Sequence, residues 1–170
     1  MLPTIKKILY LTDLSKNSEY VFRYAVQLAR TFDAKITILH VLKSMDPAME
    51  VPIIVHIGEE AYRKLTEEKR QETIEKIKSR LQEFTEKELK DDPEGTGRVS
   101  AILVYEGEPI AGILETADKL ESDLLVMGDH SKGMLAHTFL GSTAEKVLRR
   151  ARRPVLVVPI PEGGIDDISV

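Results

Sequence analysis

The sequence predicts an α/β protein built on one open parallel sheet with helices on both faces. Short continuous apolar runs, the mark of strands buried on both faces, recur along the chain. Amphipathic helical patterns separate them, so strands and helices alternate from end to end. The 170 residues are 42% hydrophobic and 31% charged, which suits one domain with a proper core and a well solvated surface.

Ile5 to Leu11 reads as the first strand, with its later half apolar. Thr12, Asp13, Leu14 and Ser15 then make a turn with helix-capping chemistry. Val21, Tyr24, Ala25, Leu28, Ala29 and Phe32 recur at helical spacing along one face, and Asp33 and Ala34 break that helix. Ile36 to Leu42 is a second buried strand. Ser44 to Gly58 holds Pro47, Pro52 and the patch VPIIV, which predicts a loop or a short irregular segment lying over the fold. A long charged helix follows, from about Glu59 to Lys90, with Ile74, Ile77, Leu81 and Phe84 as its buried stripe. Its Glu and Lys residues form a solvated face suited to i,i+4 pairs. Asp91 to Gly97 is a turn cluster.

Val99 to Tyr105 is the third strand, Gly107 turns the chain, and Pro109 suits the first turn of the next helix. Ile110, Ile113, Leu114, Ala117 and Leu120 form the buried face of that helix. Leu124 to Met127 is the fourth strand, ended by Gly128. Gly133 and Gly141 bracket a loop, and Ser142-Thr143-Ala144-Glu145 spells S-x-x-E, a capping box that predicts a helix start. Ala144, Val147, Leu148 and Ala151 would be its buried stripe. Pro154 cannot continue that helix, and Val155 to Val158 make the fifth strand. The domain is expected to span 1–160. Residues 161–170, with Gly163 and Gly164, form an acidic tail that is expected to be mobile.

Composition narrows the function. The formal charge of −4 gives no argument for a nucleic-acid or acidic-membrane partner. The absence of Cys removes disulfides, thiol catalysis and Cys-ligated metals, and it suits a reducing cytoplasm. No apolar run reaches the length of a membrane span, and the N-terminus lacks a signal-peptide core, so a cytoplasmic protein is expected.

The stretch from Asp123 to Pro159 carries the chemistry. A Gly-rich loop feeding a helix N-terminus attracts anions, through unpaired N–H groups and the helix dipole, and phosphate is the usual anion. The stretch fits neither the P-loop pattern nor the G-x-G-x-x-G fingerprint. It does resemble the universal stress proteins, whose nucleotide-binding members carry G-x-x-G, nine residues, then G-[ST]. Gly128 stands at the first Gly and Gly141-Ser142 at the closing pair, with Lys132 to Leu140 filling the spacing. Ser131 replaces the second Gly. ILYLTDLS is similar to the family's first strand and its Asp, and VYEGEPIAGILETADKLESDLLVMGDHS to its third through fourth strands. The tail after Pro159 and the stretch from Ser44 to about His56 are less typical.

The resemblance implies a Rossmann-like sheet in the order 3-2-1-4-5. The first and fourth strands are then neighbours whose crossovers go to opposite faces, and ligands bind at the carboxyl ends of such strands. Asp13 and Gly128 should therefore meet. The implied ligand is ATP or AMP, possibly with Mg²⁺ or Mn²⁺. Thr12, Asp13, Val41 and Met127 form one side of the implied nucleotide site. Gly128, His130, Ser131, Gly133, Gly141, Ser142 and Thr143 form the phosphate side. Val41 matches the family position whose backbone meets adenine. Asp13 is the candidate for ribose hydroxyls or a Mg²⁺ ion.

Each residue has a plainer role to set beside this one. Asp13 suits a turn or cap, and Ser142 a capping box that already uses its hydroxyl. Ser131 either incurs a steric penalty of roughly 1–2 kcal/mol, if φ is positive, or adds a hydroxyl donor. His130 and Lys132 sit at exposed loop positions, and His40 reads as structural. His130 and His137 lack zinc-ligand spacing. Arg149, Arg150, Arg152 and Arg153 complement a helix C-terminus.

Three functions compete. The first is an adenine-nucleotide-binding stress or signalling protein acting as a homodimer, paired through the apolar edge strand Val155–Val158. The second is a slow ATPase or phosphotransferase. The third is a stress-associated interaction protein that binds no nucleotide. No Ser-His-Asp order, catalytic carboxylate pair or kinase signature appears, so at most slow ATP hydrolysis is expected.

Overall fold

The structure is a computed structural model and describes residues 2–44, 47–129 and 140–161. Its elements run β1 (Lys7–Leu11), α1 (Ser18–Phe32), β2 (Lys35–Leu42), α2 (Pro47–Ile57), α3 (Glu59–Glu88) and α4 (Pro93–Thr96). They continue with β3 (Val99–Glu106), α5 (Pro109–Lys119), β4 (Leu124–Gly128), α6 (Ser142–Arg150) and β5 (Val155–Val158). The five strands form one sheet in the order β3-β2-β1-β4-β5, with every pairing parallel. The expected architecture and strand order are therefore observed.

The apolar strands send alternate residues to opposite faces. Ile8, Tyr10, Ile36, Ile38 and Val126 join one core with Val21, Phe22 and Ala25 of α1 and Leu81 of α3. Leu9, Leu11, Leu39, Leu125 and Met127 join a second core with Ile110, Ile113 and Ala117 of α5 and Ala144 and Val147 of α6. The crossover after β1 thus lies on one face and that after β4 on the other. The Tyr10 ring packs 5.2 Å from Phe22, which in turn lies 5.2 Å from Phe84 of α3. Helix α1 stops where Asp33 enters the left-handed region at φ 52 and donates its N–H to the α1 carbonyls.

The stretch from Ser44 to Gly58 departs from the loop expected there. Pro47–Ile57 is a helix with Pro52 inside it. Pro47 lies at its first position, where a missing N–H breaks no intrahelical bond. Pro52 is the sixth residue, where the missing N–H removes one intrahelical bond and the ring crowds the preceding turn. The helix is apolar without a helical stripe, and Met49, Val51, Ile53, Val55 and Ile57 are all exposed. Helix α3 is as expected in place and length, and Leu81 is its most deeply buried stripe residue.

Candidate functional site

β1 and β4 are neighbours whose chains leave to opposite faces, and a cavity of about 330 Å³ opens at their carboxyl ends. Thr12, Asp13, Val41 and Met127 line it, and so do Gly128, Gly141, Ser142 and Thr143. These eight sequence-predicted residues come from four separate stretches of chain, and the sheet order brings them together. His130, Ser131 and Gly133, like Lys132, lie outside the described residues. So do His137 and the tail from 162 to 170.

The floor is set by the turn after β1. The Thr12 N–H donates to the Leu39 carbonyl at 3.0 Å, tying the turn to β2. Leu14 then takes a left-handed φ of 62. Its N–H donates to Thr12 Oγ1 at 3.1 Å, and the Ser15 N–H donates to Asp13 Oδ1 at 2.9 Å. Thr12 Oγ1 donates to Ser18 Oγ at 3.0 Å, which donates to Asp13 Oδ1 at 3.2 Å. These side chains build the turn rather than cap α1, whose N-cap position is Asn17. The capping expected of this tetrapeptide is therefore not its role, because two more residues, Lys16 and Asn17, precede the helix. The Asp13 carboxylate is held by the turn while it stands exposed at the cavity.

A further wall is the start of α6. The helix begins at Ser142 as the S-x-x-E pattern predicts, yet the capping box does not form. Gly141 takes the N-cap position, with φ −58 and ψ 146, and Ser142 is already helical. The Gly141 carbonyl accepts the first intrahelical bond, from the Glu145 N–H at 2.9 Å. The Glu145 side chain reaches forward to Arg149 at 2.9 Å instead of back to the cap. The N–H groups of Ser142, Thr143 and Ala144 all precede the first intrahelical bond, and all three residues line the cavity. Backbone arranged in this way can receive an anion, and the Ser142 hydroxyl is not engaged in capping.

Asp129 closes the base of that wall. Its N–H donates to the Val158 carbonyl at 3.1 Å and its carbonyl accepts the Gly141 N–H at 2.6 Å. Its Oδ1 accepts the Ile160 N–H at 3.1 Å. Gly128, just before it, is packed closely. A Cβ there would lie 3.3 Å from Val21 Cγ2 and 3.4 Å from Ile160 Cδ1.

Sequence reasoning missed several lining residues. Pro109 and Ile113 reach the cavity because α5 begins at the carboxyl end of β3; the strand order pointed there. Ser18 and Asn17 enter through the turn geometry, for which the spacing gave no signal. His40 proves to be both structural and lining: its Nδ1 lies 2.8 Å from the Thr12 carbonyl. A carbonyl only accepts, so Nδ1 carries the proton. Beneath the site the Tyr10 hydroxyl donates to the Ser18 carbonyl at 2.7 Å, and burial pushes it well above the ordinary phenol range. Among the described residues no cluster of three or more His, Cys, Asp or Glu side chains is arranged to hold a metal ion. None of the described helices is long and apolar enough to cross a membrane.

Comparison with known proteins gives a consistent result. The sequence model of the Universal stress protein family matches residues 4–159. Universal stress protein MJ0531 of Methanocaldococcus jannaschii is 32% identical over 157 residues, covering 92% of this chain and 84% of that protein. The solved structure of MJ0577 superposes with a TM-score of 0.63 at 28% identity, over 95% of this chain and 100% of that one. A universal stress protein solved in complex with cAMP superposes with a TM-score of 0.53 at 21% identity, over 92% of this chain and 98% of that one.

Proposed function

Because this chain belongs to the universal stress protein family, we propose that its cavity binds an adenine nucleotide, ATP or AMP, and that the protein works as a homodimeric stress or signalling protein. One observation carries the reading. Among the described residues the N–H groups of Ser142, Thr143 and Ala144 have no partner, and these residues line the same cavity as Asp13. That cavity is amphiphilic in the way a nucleotide requires. It offers backbone N–H groups at the start of α6, the Asp13 carboxylate, and the apolar side chains of Val41, Ile113 and Met127. Phosphates would rest on Ser142 and Thr143, ribose hydroxyls on Asp13, and the base near Val41. A Mg²⁺ or Mn²⁺ ion would enter with the phosphates, held chiefly by them and by Asp13. His130, Ser131 and Gly133 belong to the same proposed site by their place in the motif.

The neighbour solved with cAMP binds an adenine nucleotide; its likeness to this chain supports the fold, and the ligand assignment here rests on the cavity. The proposed dimer uses β5, which lies at the sheet edge and offers unpaired backbone groups. Mass spectrometry of small molecules released from protein purified without added nucleotide tests the ligand. Adenine nucleotide near one equivalent per chain is the expected result. Absence of nucleotide, together with no heat on titrating ATP or AMP, would leave an interaction protein as the better reading.

A further inference from the structure

A second cavity, of about 200 Å³, lies at the opposite edge of the sheet from the nucleotide cavity, on the α5/α6 face. Leu114, Ala117, Leu125 and Ala151 give it an apolar floor. Arg150, Arg152 and Arg153 form its rim, with Asp118 the only acidic lining residue among the described residues. Arg153 has a distant contact with Asp118 at 3.9 Å. Among the described residues Arg150 and Arg152 have no ion pair. A helix C-terminus needs at most a cation or two to complement its dipole. Four arginines in five positions, at 149, 150, 152 and 153, exceed that need.

The same chain carries a segment of matching chemistry. Residues 162–170 read EGGIDDISV: three acidic residues, no basic one, and Ile165, Ile168 and Val170 interleaved with Asp166 and Asp167. Acidic groups suit the arginine rim and the interleaved apolar groups suit the floor. The position of the cavity selects which copy supplies the segment. It sits beside the residues that lead into β5, with Arg152 and Arg153 just before Pro154. The segment follows Pro161, past the other end of β5. A two-fold axis that pairs an edge strand with its own copy sets the two strands antiparallel. The end of β5 in one protomer then lies beside the start of β5 in its partner. Nine extended residues reach about 30 Å, ample for that step.

We infer that the basic-rimmed cavity at Arg150, Arg152 and Arg153 receives the acidic segment Glu162–Val170 of a second copy of this chain. The docking rests on the β5 dimer proposed above and adds to each dimer two equivalent contacts remote from the nucleotide cavity.

Two full-length charge reversals test it. One carries Arg150→Glu with Arg152→Glu, and the other Asp166→Arg with Asp167→Arg. Both place the changes on the surface or in the segment, and circular dichroism checks that each folds. Sedimentation velocity at low ionic strength should show the dimer dissociation constant raised about tenfold or more in each. An equimolar mixture of the two restores both contacts in the mixed dimer, so dimer should return to near the wild-type level. Weakening in both variants without recovery in the mixture would overturn docking onto a second copy. Wild-type dimer whose constant ignores both reversals would overturn the docking alone. Wild-type protein that sediments as a monomer throughout would overturn the dimer and the docking together.

Discussion

The N–H of Gly141 donates to the carbonyl of Asp129 at 2.6 Å, so the two ends of the eleven-residue stretch between them are pinned at the mouth of the cavity. The same bond fixes Gly141 as N-cap of α6 and takes its own N–H out of contention for a ligand. What Gly141 then offers is the absence of a Cβ beside the N–H groups of Ser142 and Thr143. Its φ of −58 lies in a region any residue adopts.

Gly141→Val should therefore keep the backbone path and obstruct the approach of phosphate. Titration calorimetry with ATP should show affinity down by more than tenfold, in a protein whose circular dichroism is unchanged. Gly is preferred over Val at an N-cap, so a stability loss of up to about 1 kcal/mol should accompany it. Unchanged affinity in a folded variant would place the nucleotide elsewhere.

Ser142→Ala separates ligand binding from helix capping. Ser142 is not the N-cap, so the melting temperature should stay within about 1–2 °C of wild type, where loss of a true cap would cost roughly 1 kcal/mol. ATP affinity should fall by the value of one hydrogen bond to a charged group, about 1.5–3 kcal/mol. A large drop in melting temperature would show that the hydroxyl caps after all.

Gly112→Ala sets two effects of opposite sign against each other. In an exposed helix the change gains about 1 kcal/mol of propensity. Here a Cβ would run into the Tyr105 ring, meeting Cε1 at 2.8 Å. That ring is held by its hydroxyl bond to Glu115 at 3.0 Å. Overpacking should win, with a net loss of about 1–3 kcal/mol in urea unfolding. A more stable variant would show that the ring yields freely.

Asp92 gives the fold an acid-sensitive point. Its carboxyl is held below the usual range first by the Gly95 N–H it accepts, and then by Arg30 and Arg98, against some desolvation. A depressed carboxyl contributes stability above its unfolded value, near 3.9, and that contribution fades as pH falls through the folded value. Asp92→Asn keeps an acceptor for Gly95 and removes the titration. Its melting temperature should fall less than wild type between pH 5 and pH 2.5; an equal fall would clear Asp92 of any part in acid unfolding.

Leu156→Lys tests the proposed edge pairing. Leu156 is only half-buried, whereas Val158 is 3% exposed within the α1/α3 core. A charge at Val158 would therefore report on folding. A charge at Leu156 should raise the dimer dissociation constant while the monomer stays folded. Sedimentation at micromolar concentration reads the difference.

The strands and most of the helices were legible in the chain because they depend on local patterns. Five apolar runs, separated by helical stripes, predict a parallel sheet, and the order 3-2-1-4-5 followed from the resemblance to the universal stress proteins. Asp13 and Gly128 were expected to meet because the strand order places both at the carboxyl edge, and they do. The capping box misled because S-x-x-E makes Ser142 the N-cap, whereas Gly141 holds that position here and Ser142 is already helical. Helix α2 misled because two prolines and no amphipathic stripe argue against a helix in any window that ignores position. Pro47 at the first turn does not break one. Ser18 and His40 entered the site through tertiary hydrogen bonds, which leave no trace in spacing.

The sheet divides the interior into two separate cores, and this has a thermodynamic consequence. Ile38 and Leu39 are adjacent in sequence, yet they point into different compartments with a layer of backbone between them. Truncating both should cost close to the sum of the single truncations. Ile8 and Ile36 are far apart in sequence but are register partners in one compartment, and truncating them together should depart from that sum by about 0.5 kcal/mol or more, as neighbours around one void do. Energetic neighbourhood in this protein is set by the parity of a residue along its strand, and distance along the chain says little about it.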